Sequence, residues 1–596
     1  MGLFPTIHHR VEFCVVGGGL SGLCAAVAAA RHGCKTALLQ ERPMLGGNAS
    51  SEIRMWVCGA HGKNNRETGL IEELMLENYW RNPYKNYSIW DSVMLEMAKK
   101  EPNLEVYLNC TCMDGEMDEN RLARITGWQM TTQQYHVFEA GIFADCSGDS
   151  ILAPITGALY RMGREGYEEY GEDIAPAQAD SHTMGMSCMI QAREYPEERT
   201  FIAPTWARKF TKEDLPYRHP NLESDGENFW YMELGGMQDT IRDTEEIRDE
   251  LLRVAYGIWD FLKNDPENRE RNKYFDIDWI GILPGKRESR RYVGDYVMTQ
   301  SDVRAGGHFD DLIAYGGWSM DDHHPGGIDA KEPPTIYHPA PSPYGIPYRC
   351  LYSQNVENLM FAGRNISVSH VAMSSTRVMA TCALLGQAVG TAAAMALREG
   401  ITPRGIYEKG FVTKLQQTLM EDDCYLPYHR RAISLLTRAA RLESNLHGAE
   451  NLRNGYDRPI GDADNGARGP KGSFVTYTLD TAQWVETVRL VLDSDLNRET
   501  LPELEMKLNR GMRHNIRLCW EKSHMPATVV KDLDLVWTLE DGSQEMQSLR
   551  GNHQRLVCIP CGRKIAAVTI RLLDTWGSEE CHLFAVDLMG HCGAAN

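Results

Sequence analysis

Residues 11–41 read VEFCVVGGGLSGLCAAVAAARHGCKTALLQE, and this stretch sets the fold class. The apolar run at 11–16 predicts a short buried strand. The small-residue run at about 20–32 predicts a helix, and KTALLQ at 35–40 predicts a second strand. Together they form a βαβ opening. Between strand and helix stands Gly17-x-Gly19-x-x-Gly22. A turn this tight needs glycine, and glycine lets a diphosphate approach the backbone. The helix start, with Leu20 and Ser21 in its first turn, offers unbonded N–H groups and a positive dipole end to that anion. Gly22 lets the helix pack on the strands. Glu41 ends the second strand, 19 residues beyond Gly22, where an acid binds a ribose hydroxyl pair. Taken alone, the stretch suits NAD as well as FAD.

Three later segments favour FAD. RPMLGGNAS at 42–50 supplies Arg42, the close-approach pair Gly46 and Gly47, and the polar groups of Asn48 and Ser50. FADCSGDS at 143–150 ends a strand in a turn holding Gly148 and Asp149. NLMFAGRNISVSHVAMSSTRVMATCALLGQAVGTAAA at 358–394 ends a strand in Ala362-Gly363-Arg364 and runs into a long helix. That helix is expected to begin near Ser374, beside Met373, with its N-terminus toward the cofactor ring. A positive dipole there stabilises an anionic reduced flavin.

These four segments together resemble the glutathione-reductase-type FAD fold. Residues 10–440 resemble FAD-dependent oxidoreductases of the fumarate-reductase and heterodisulfide-reductase-A-like kind. The resemblance implies that the opening glycines and Glu41 hold the adenosine half of FAD. It places the Gly46-Gly47-Asn48 loop near the flavin, the Gly148-Asp149 turn near the pyrophosphate, and the Gly363-Arg364 segment against the ring. Members of such a family share fold more than substrate.

The 596 residues exceed what one hydrophobic core organises. The expected architecture is α/β: a Rossmann-like FAD-binding domain over 10–155 and 345–446, an inserted α+β cap over 156–344, and an all-β jelly-roll-like sandwich over 447–596. Residues 68–100, 243–264 and 405–446 read as helical. The stretch NGYDRPIGDADNGARGP at 454–470 resembles the start of a galactose-binding-like module, and CIPCGRKIAAVTIRLL from 558 reads as two strands across a turn.

The net charge of -20 argues against nucleic acid or an anionic membrane as partner. No stretch of about 18 apolar residues suggests a membrane span. The N-terminus lacks the apolar core of a secretory signal, and Met1-Gly2-x-x-x-Thr6 fits a myristoylation motif in form alone. The 16 cysteines then read as reduced thiols of a cytoplasmic protein. Iron–sulfur clusters need tighter cysteine spacing than this chain has. Cys558, Cys561, Cys581 and Cys592 read as strand residues rather than zinc ligands, so no metal is expected.

Chemistry at a flavin needs a group that moves a proton and groups that orient the substrate. Arg54 and His61 directly follow the Gly46-Gly47-Asn48 loop. His370 sits between the late strand and its helix. Arg287 and Arg290 lie in the cationic run 286–291. Each has a structural competitor: a pair with Glu52 for Arg54, a loop position for His61, a backbone bond for His370, salt bridges for the other two. Arg377 suits a carboxylate or the cofactor. His308, His323 and His324, with Asp321 and Asp322, read as substrate contacts, since adjacent residues rarely ligate one ion. The expected activity is FAD-dependent oxidation of a secondary alcohol on a small polar substrate such as a sugar or glycoside, with His370 or His61 as base and Arg54, Arg287 or Arg290 as orienting groups. One alternative is a flavin-dependent reductase of an activated C=C bond. Another is a non-catalytic carbohydrate-binding protein with a vestigial flavin fold. The expected partners are that small substrate and an electron acceptor the sequence does not identify, with a homo-oligomer left open.

Overall fold

The computed structural model describes residues 3–222, 228–501, 506–507, 512, 515–518 and 522–590. Met1, Gly2 and Cys592 lie outside the described residues. The chain separates into two compact units: Met1–His61, Lys85–Leu415 and Asn509–Lys522 form one, and Gly62–Tyr84, Gln416–Leu508 and Ser523–Asn596 form the other. The first holds both the dinucleotide-type halves and the middle region. The second starts at Gln416 rather than 447 and takes in a segment from early in the chain.

In the first unit, β1 (Phe13–Val16), α1 (Leu20–Arg31), β2 (Thr36–Gln40), β3 (Leu104–Leu108), β4 (Ile142–Asp145) and β5 (Leu359–Phe361) are followed by α2 (His370–Thr376) and α3 (Met379–Glu399). The five strands form one parallel sheet in the order β5-β4-β1-β2-β3. β1 is central, with Phe13 facing Thr36 on one side and Ile142 on the other. A parallel sheet covered on both faces needs uninterrupted apolar strands. Accordingly every residue of β1, β2, β4 and β5 is buried.

The small residues of α1 and α3 let the two helices meet backbone to backbone. A Cβ on Gly386 would stand 2.0 Å from the Ser21 carbonyl oxygen, and one on Gly390 2.1 Å from that of Ala25. By length and composition α3 is apolar enough to cross a membrane, a property the sequence reading had not credited to it, but 94% of its apolar window is buried inside the protein. The single long helix expected to start near Ser374 is in fact two. Ser369 caps α2 by accepting from the Ala372 N–H, the chain turns extended at Val378, and α3 begins at Met379.

The middle region contributes the helix Thr244–Asn264 and the hairpin of Met320–His323 with Thr335–His338. The strand Thr6–Arg10 adds to a four-stranded side sheet, parallel to Gln134–Glu139.

The second unit holds the expected all-β sandwich, built on a seven-stranded antiparallel sheet. Two strands are far longer than the sequence suggests. Phe474–Leu492 runs for 19 residues, and Leu556–Thr575 passes without a turn through the glycine of CIPCGRKIAAVTIRLL. Each serves as the other's partner, which keeps both continuous, and register shifts after Thr478 and Val485 absorb the bend. The helical reading of 405–446 fails at its end. Arg441–Ser444 is a strand paired with residues Val475 to Thr478.

Candidate active site

A cavity of about 410 Å³ opens at the carboxyl ends of the parallel strands, where β1 passes into α1. Gly17, Gly19, Leu20, Ser21, Glu41 and Arg42 line one part of it, and Gly46, Gly47 and Asn48 another. Gly148, Asp149, Gly363 and Arg364 close in from the β4 and β5 turns. Of the residues named from sequence for the cofactor, Gly22, Ser50 and Met373 do not line this cavity. Gly22 serves packing: a Cβ there would stand 1.8 Å from the Gly17 carbonyl oxygen. Ser50 and Met373 are fully buried.

The cradle fits a dinucleotide. Gly19 precedes α1 with no side-chain cap, and the first turn carries no acidic residue, so its N–H groups remain for an anion. Beyond its chain neighbours, a Cβ on Gly19 would meet only the Gly47 Cα, at 3.9 Å, so glycine keeps that wall open. Gly17, at φ +101°, makes the turn, and any side chain there would strike the Cys146 backbone at 2.5 Å. Asp149 sits half-buried among cations. Lys286 Nζ and an Arg364 Nη each donate to it at 2.7 Å and Ser289 Oγ at 2.8 Å. Burial pushes its carboxyl up, but Arg364 and Lys286 outweigh that and hold it below its usual range. Asp149 thus aims Lys286 and Arg364 at the cavity. The Asn48 side chain donates to the Lys286 carbonyl at 3.0 Å, tying the glycine loop to this cluster. Val378, the uncapped residue before α3, and Met379 also line the cavity, so α3 rather than a helix from Ser374 presents its positive end. Residues Gly17 to Ser21, Glu41, Arg42 and Arg364 would hold FAD, which when bound supplies two-electron acceptance by hydride transfer.

The remaining wall carries chemistry. Arg287, Asp321, His323, Tyr337 and Arg377 line it with Trp230 and Trp318. Asp321 and His323 occupy the same face of their strand by its two-residue period. Nδ1 of His323 lies 2.6 Å from a Glu233 oxygen, and Nε2 lies 3.3 Å from Asp321. Arg287 donates to Ser187 Oγ at 3.0 Å and the Trp230 carbonyl at 2.8 Å, and stands 3.4 Å from Glu233. Arg377 reaches Asp321 at 3.1 Å. Burial pushes the Asp321 and Glu233 carboxyls up, but His323 and Arg377 hold Asp321, and Arg287 and His323 hold Glu233, below the usual carboxylate range.

Of the candidates for chemistry, Arg287 and Arg290 line the cavity, and Arg290 also donates to the Asp149 carbonyl at 3.2 Å. Arg54, His61 and His370 do not line it. The Arg54 guanidinium lies over the Trp279 and Tyr87 rings, at 4.3 and 4.8 Å, and donates to Gln191. The His61 ring sits edge-on to Trp318, 4.3 Å between centroids. His370 is buried between Glu288 and Asp322, at 2.9 and 3.2 Å. The adjacent histidines part company: His323 faces the cavity, while His324 accepts from the Gly326 N–H at its own turn. Glu233, Trp230 and Tyr337 escaped the sequence reading. Arg287, Asp321, His323 and Arg377 are the wall residues that the sequence singles out.

No curated protein matches the chain by sequence. Among solved structures, a geranylgeranyl bacteriochlorophyll reductase-like protein from Thermoplasma acidophilum is 11% identical with a TM-score of 0.31, covering 70% of this chain and 86% of its own. Quinol fumarate reductase from E. coli is 12% identical with a TM-score of 0.27, covering 70% and 75%. A family 32 carbohydrate-binding module from Streptococcus pneumoniae is 13% identical with a TM-score of 0.20, covering 26% of this chain and 100% of its own. The model of the family described as FAD dependent oxidoreductase matches residues 12–419, more than half of the sequence, and the chain belongs to that family.

Proposed function

We propose that this flavoenzyme oxidises a secondary alcohol of a small, uncharged polar substrate such as a sugar or glycoside. The observation that carries the reading is the pairing of charges on the wall that holds His323, Arg290 lying instead beside the Asp149 turn. Arg287 is matched by Glu233 and Arg377 by Asp321, so neither offers a free cation to a substrate carboxylate. A reductase acting on an enoate needs that free cation. The Trp230 and Trp318 rings give a polyol flat apolar faces, and Asp321 gives its hydroxyls an acceptor.

His323 is the candidate proton acceptor, in place of His370 or His61. In a neutral imidazole one nitrogen donates and the other accepts. The shorter contact, to Glu233, takes the Nδ1–H; Asp321, which already accepts from Arg377 and Thr335, does not depend on Nε2 as a donor, so Nε2 is the basic nitrogen. With FAD bound to supply hydride acceptance, Nε2 would take the proton of the substrate hydroxyl. Glu233 then faces an imidazolium, which it stabilises. Anaerobic mixing tests the reading. Free sugars and glycosides are added to the FAD-loaded protein, and at least one is expected to bleach the flavin's visible absorbance. Reoxidation of the reduced protein by an enoate, with no bleaching by any sugar, would show the reductase instead.

A further inference from the structure

Three segments carry the chemical wall of the cavity: 286–291 with Arg287, Met320–His323 with Asp321 and His323, and α2, which leads directly into Arg377. Each also sends a charged group away from the cavity, and those groups meet. Glu288, Asp322 and His370 form one buried contact: His370 Nδ1 lies 2.9 Å from Glu288 and Nε2 3.2 Å from Asp322. The surrounding groups belong to the same network. Arg291 is bonded to both Glu288 and Glu165. Glu165 accepts from the His370 backbone N–H at 2.8 Å, and Glu172 accepts from the Ser369 hydroxyl at 2.6 Å. Arg164, paired with Asp180, adds positive charge toward Asp322 and Glu288.

We propose that His370, held as an imidazolium between Glu288 and Asp322, is a positioning residue that fixes the three wall segments in register. The geometry requires both ring nitrogens to donate, because a carboxylate faces each. A neutral ring satisfies only one, and the strand bearing Asp321 and His323 then loses its tie to α2 or to Glu288. Burial alone pushes the imidazole pKa down, but Glu288 and Asp322 outweigh burial and lift it to about 9. The sign follows. A folded pKa above the unfolded value gives stabilisation that is fully present below the unfolded pKa and is lost as pH rises through about 9.

This inference rests on the wall residues assigned above to alcohol oxidation, yet its first readout needs no substrate. The melting temperature of the FAD-bound protein is followed from neutral pH to beyond the pKa of His370. The wild-type protein is expected to show a downward step that runs from about pH 6.5 to about pH 9 and levels off above it. His370→Gln, which cannot titrate, is expected to lack the step. Asp322→Asn, which removes one carboxylate and leaves the histidine in place, is expected to move it to lower pH, and it serves if His370→Gln fails to fold. The second readout is rapid-reaction bleaching. Both variants are expected to bind FAD normally and to lose about 10- to 100-fold in the bleaching rate, as a small misplacement of reacting groups produces. A step of wild-type size and position in a folded variant overturns the proposal, as does loss of activity through weaker FAD binding alone. A wild-type step with no bleaching by any sugar rejects the alcohol reading and leaves the positioning role intact.

Discussion

At the scale of single residues, the site is built from charges that cancel in pairs, so the effect of a substitution depends on what it leaves behind. Glu233 touches both His323 and Arg287. Glu233→Gln keeps the shape and an acceptor oxygen for the Nδ1–H, removes the charge that stabilises the imidazolium and leaves a buried guanidinium without its carboxylate. The expected result is a fall of about 100-fold in the bleaching rate, the size of a lost general-base contribution, with FAD affinity unchanged. Stopped-flow absorbance beside a flavin titration checks it. An equal loss in Arg290→Ala would move the orienting role to that cation, which donates to the Asp149 backbone carbonyl and lies over the Tyr160 ring. The cofactor half of the site was legible because its demands are local: a strand, three glycines and an acid lie within one βαβ unit. The substrate half was legible only in part: Arg287, Asp321, His323 and Arg377 stand out in the sequence, but not which of them pair or that Glu233 joins them. His323 and Glu233 are 90 residues apart, and neither stands in a motif. His370 was singled out by its position between strand and helix, and that position is real. Its side chain turns away from the cavity because Glu288 and Asp322 wait on the other side, which periodicity along one segment cannot reveal.

At the scale of elements, the decisive contact is that of α1 with α3. Ser21 and Ala25 on one helix face Gly386 and Gly390 on the other, four residues apart on each, so two backbones touch along one turn. The glycines are there for space rather than for conformation. Gly390→Ala would gain about 1 kcal/mol of helix propensity. It would also set a methyl 2.1 Å from a backbone oxygen that has no side-chain freedom to retreat. Overpacking of this kind costs about 1–3 kcal/mol and wins. The variant is expected to melt lower than the wild type and to bind FAD more weakly, because a displaced α1 carries Leu20 and Ser21 with it. Thermal melts with and without added FAD check both effects. Unchanged melting would mean that the helices separate at no cost. The sequence reading placed both helices but drew the second as continuous from Ser374. Ser369 caps the start of α2 ahead of Ser374, and the break comes at Val378, whose extended backbone ends α2 and re-aims α3.

At the scale of the whole molecule, chain order and compact units do not coincide. Residues Gly62–Tyr84 belong with the β-rich unit although the sandwich strands lie hundreds of residues later. A reading by contiguous segments cannot recover this, because the helix Leu70–Arg81 shows the periodicity of any surface helix. What binds it is Glu72, 1% exposed, which accepts from Arg498 at 2.7 and 2.8 Å and from Ser494 at 2.6 Å. Burial raises the Glu72 carboxyl, and Arg498 and Arg66 outweigh burial and bring it down to about 2. Its contribution to stability is therefore present above the unfolded carboxylate pKa of about 4.3 and is lost as pH falls toward the folded value. Arg498→Ala removes one member of a buried pair and is expected to destabilise the β-rich unit by about 3–5 kcal/mol at neutral pH. The difference from wild type should shrink on acidification, as read by denaturant unfolding at several pH values. Deleting 447–596, the cut that a contiguous sandwich invites, removes Arg498 and Ser494 together and leaves Glu72 with buried Leu70, Ile71, Leu74, Met75 and Leu76 stripped of their unit. That truncation is expected to aggregate rather than yield a free-standing flavin domain. A soluble, yellow protein of residues 1–446 would show instead that the early segment folds without the strands it is grouped with.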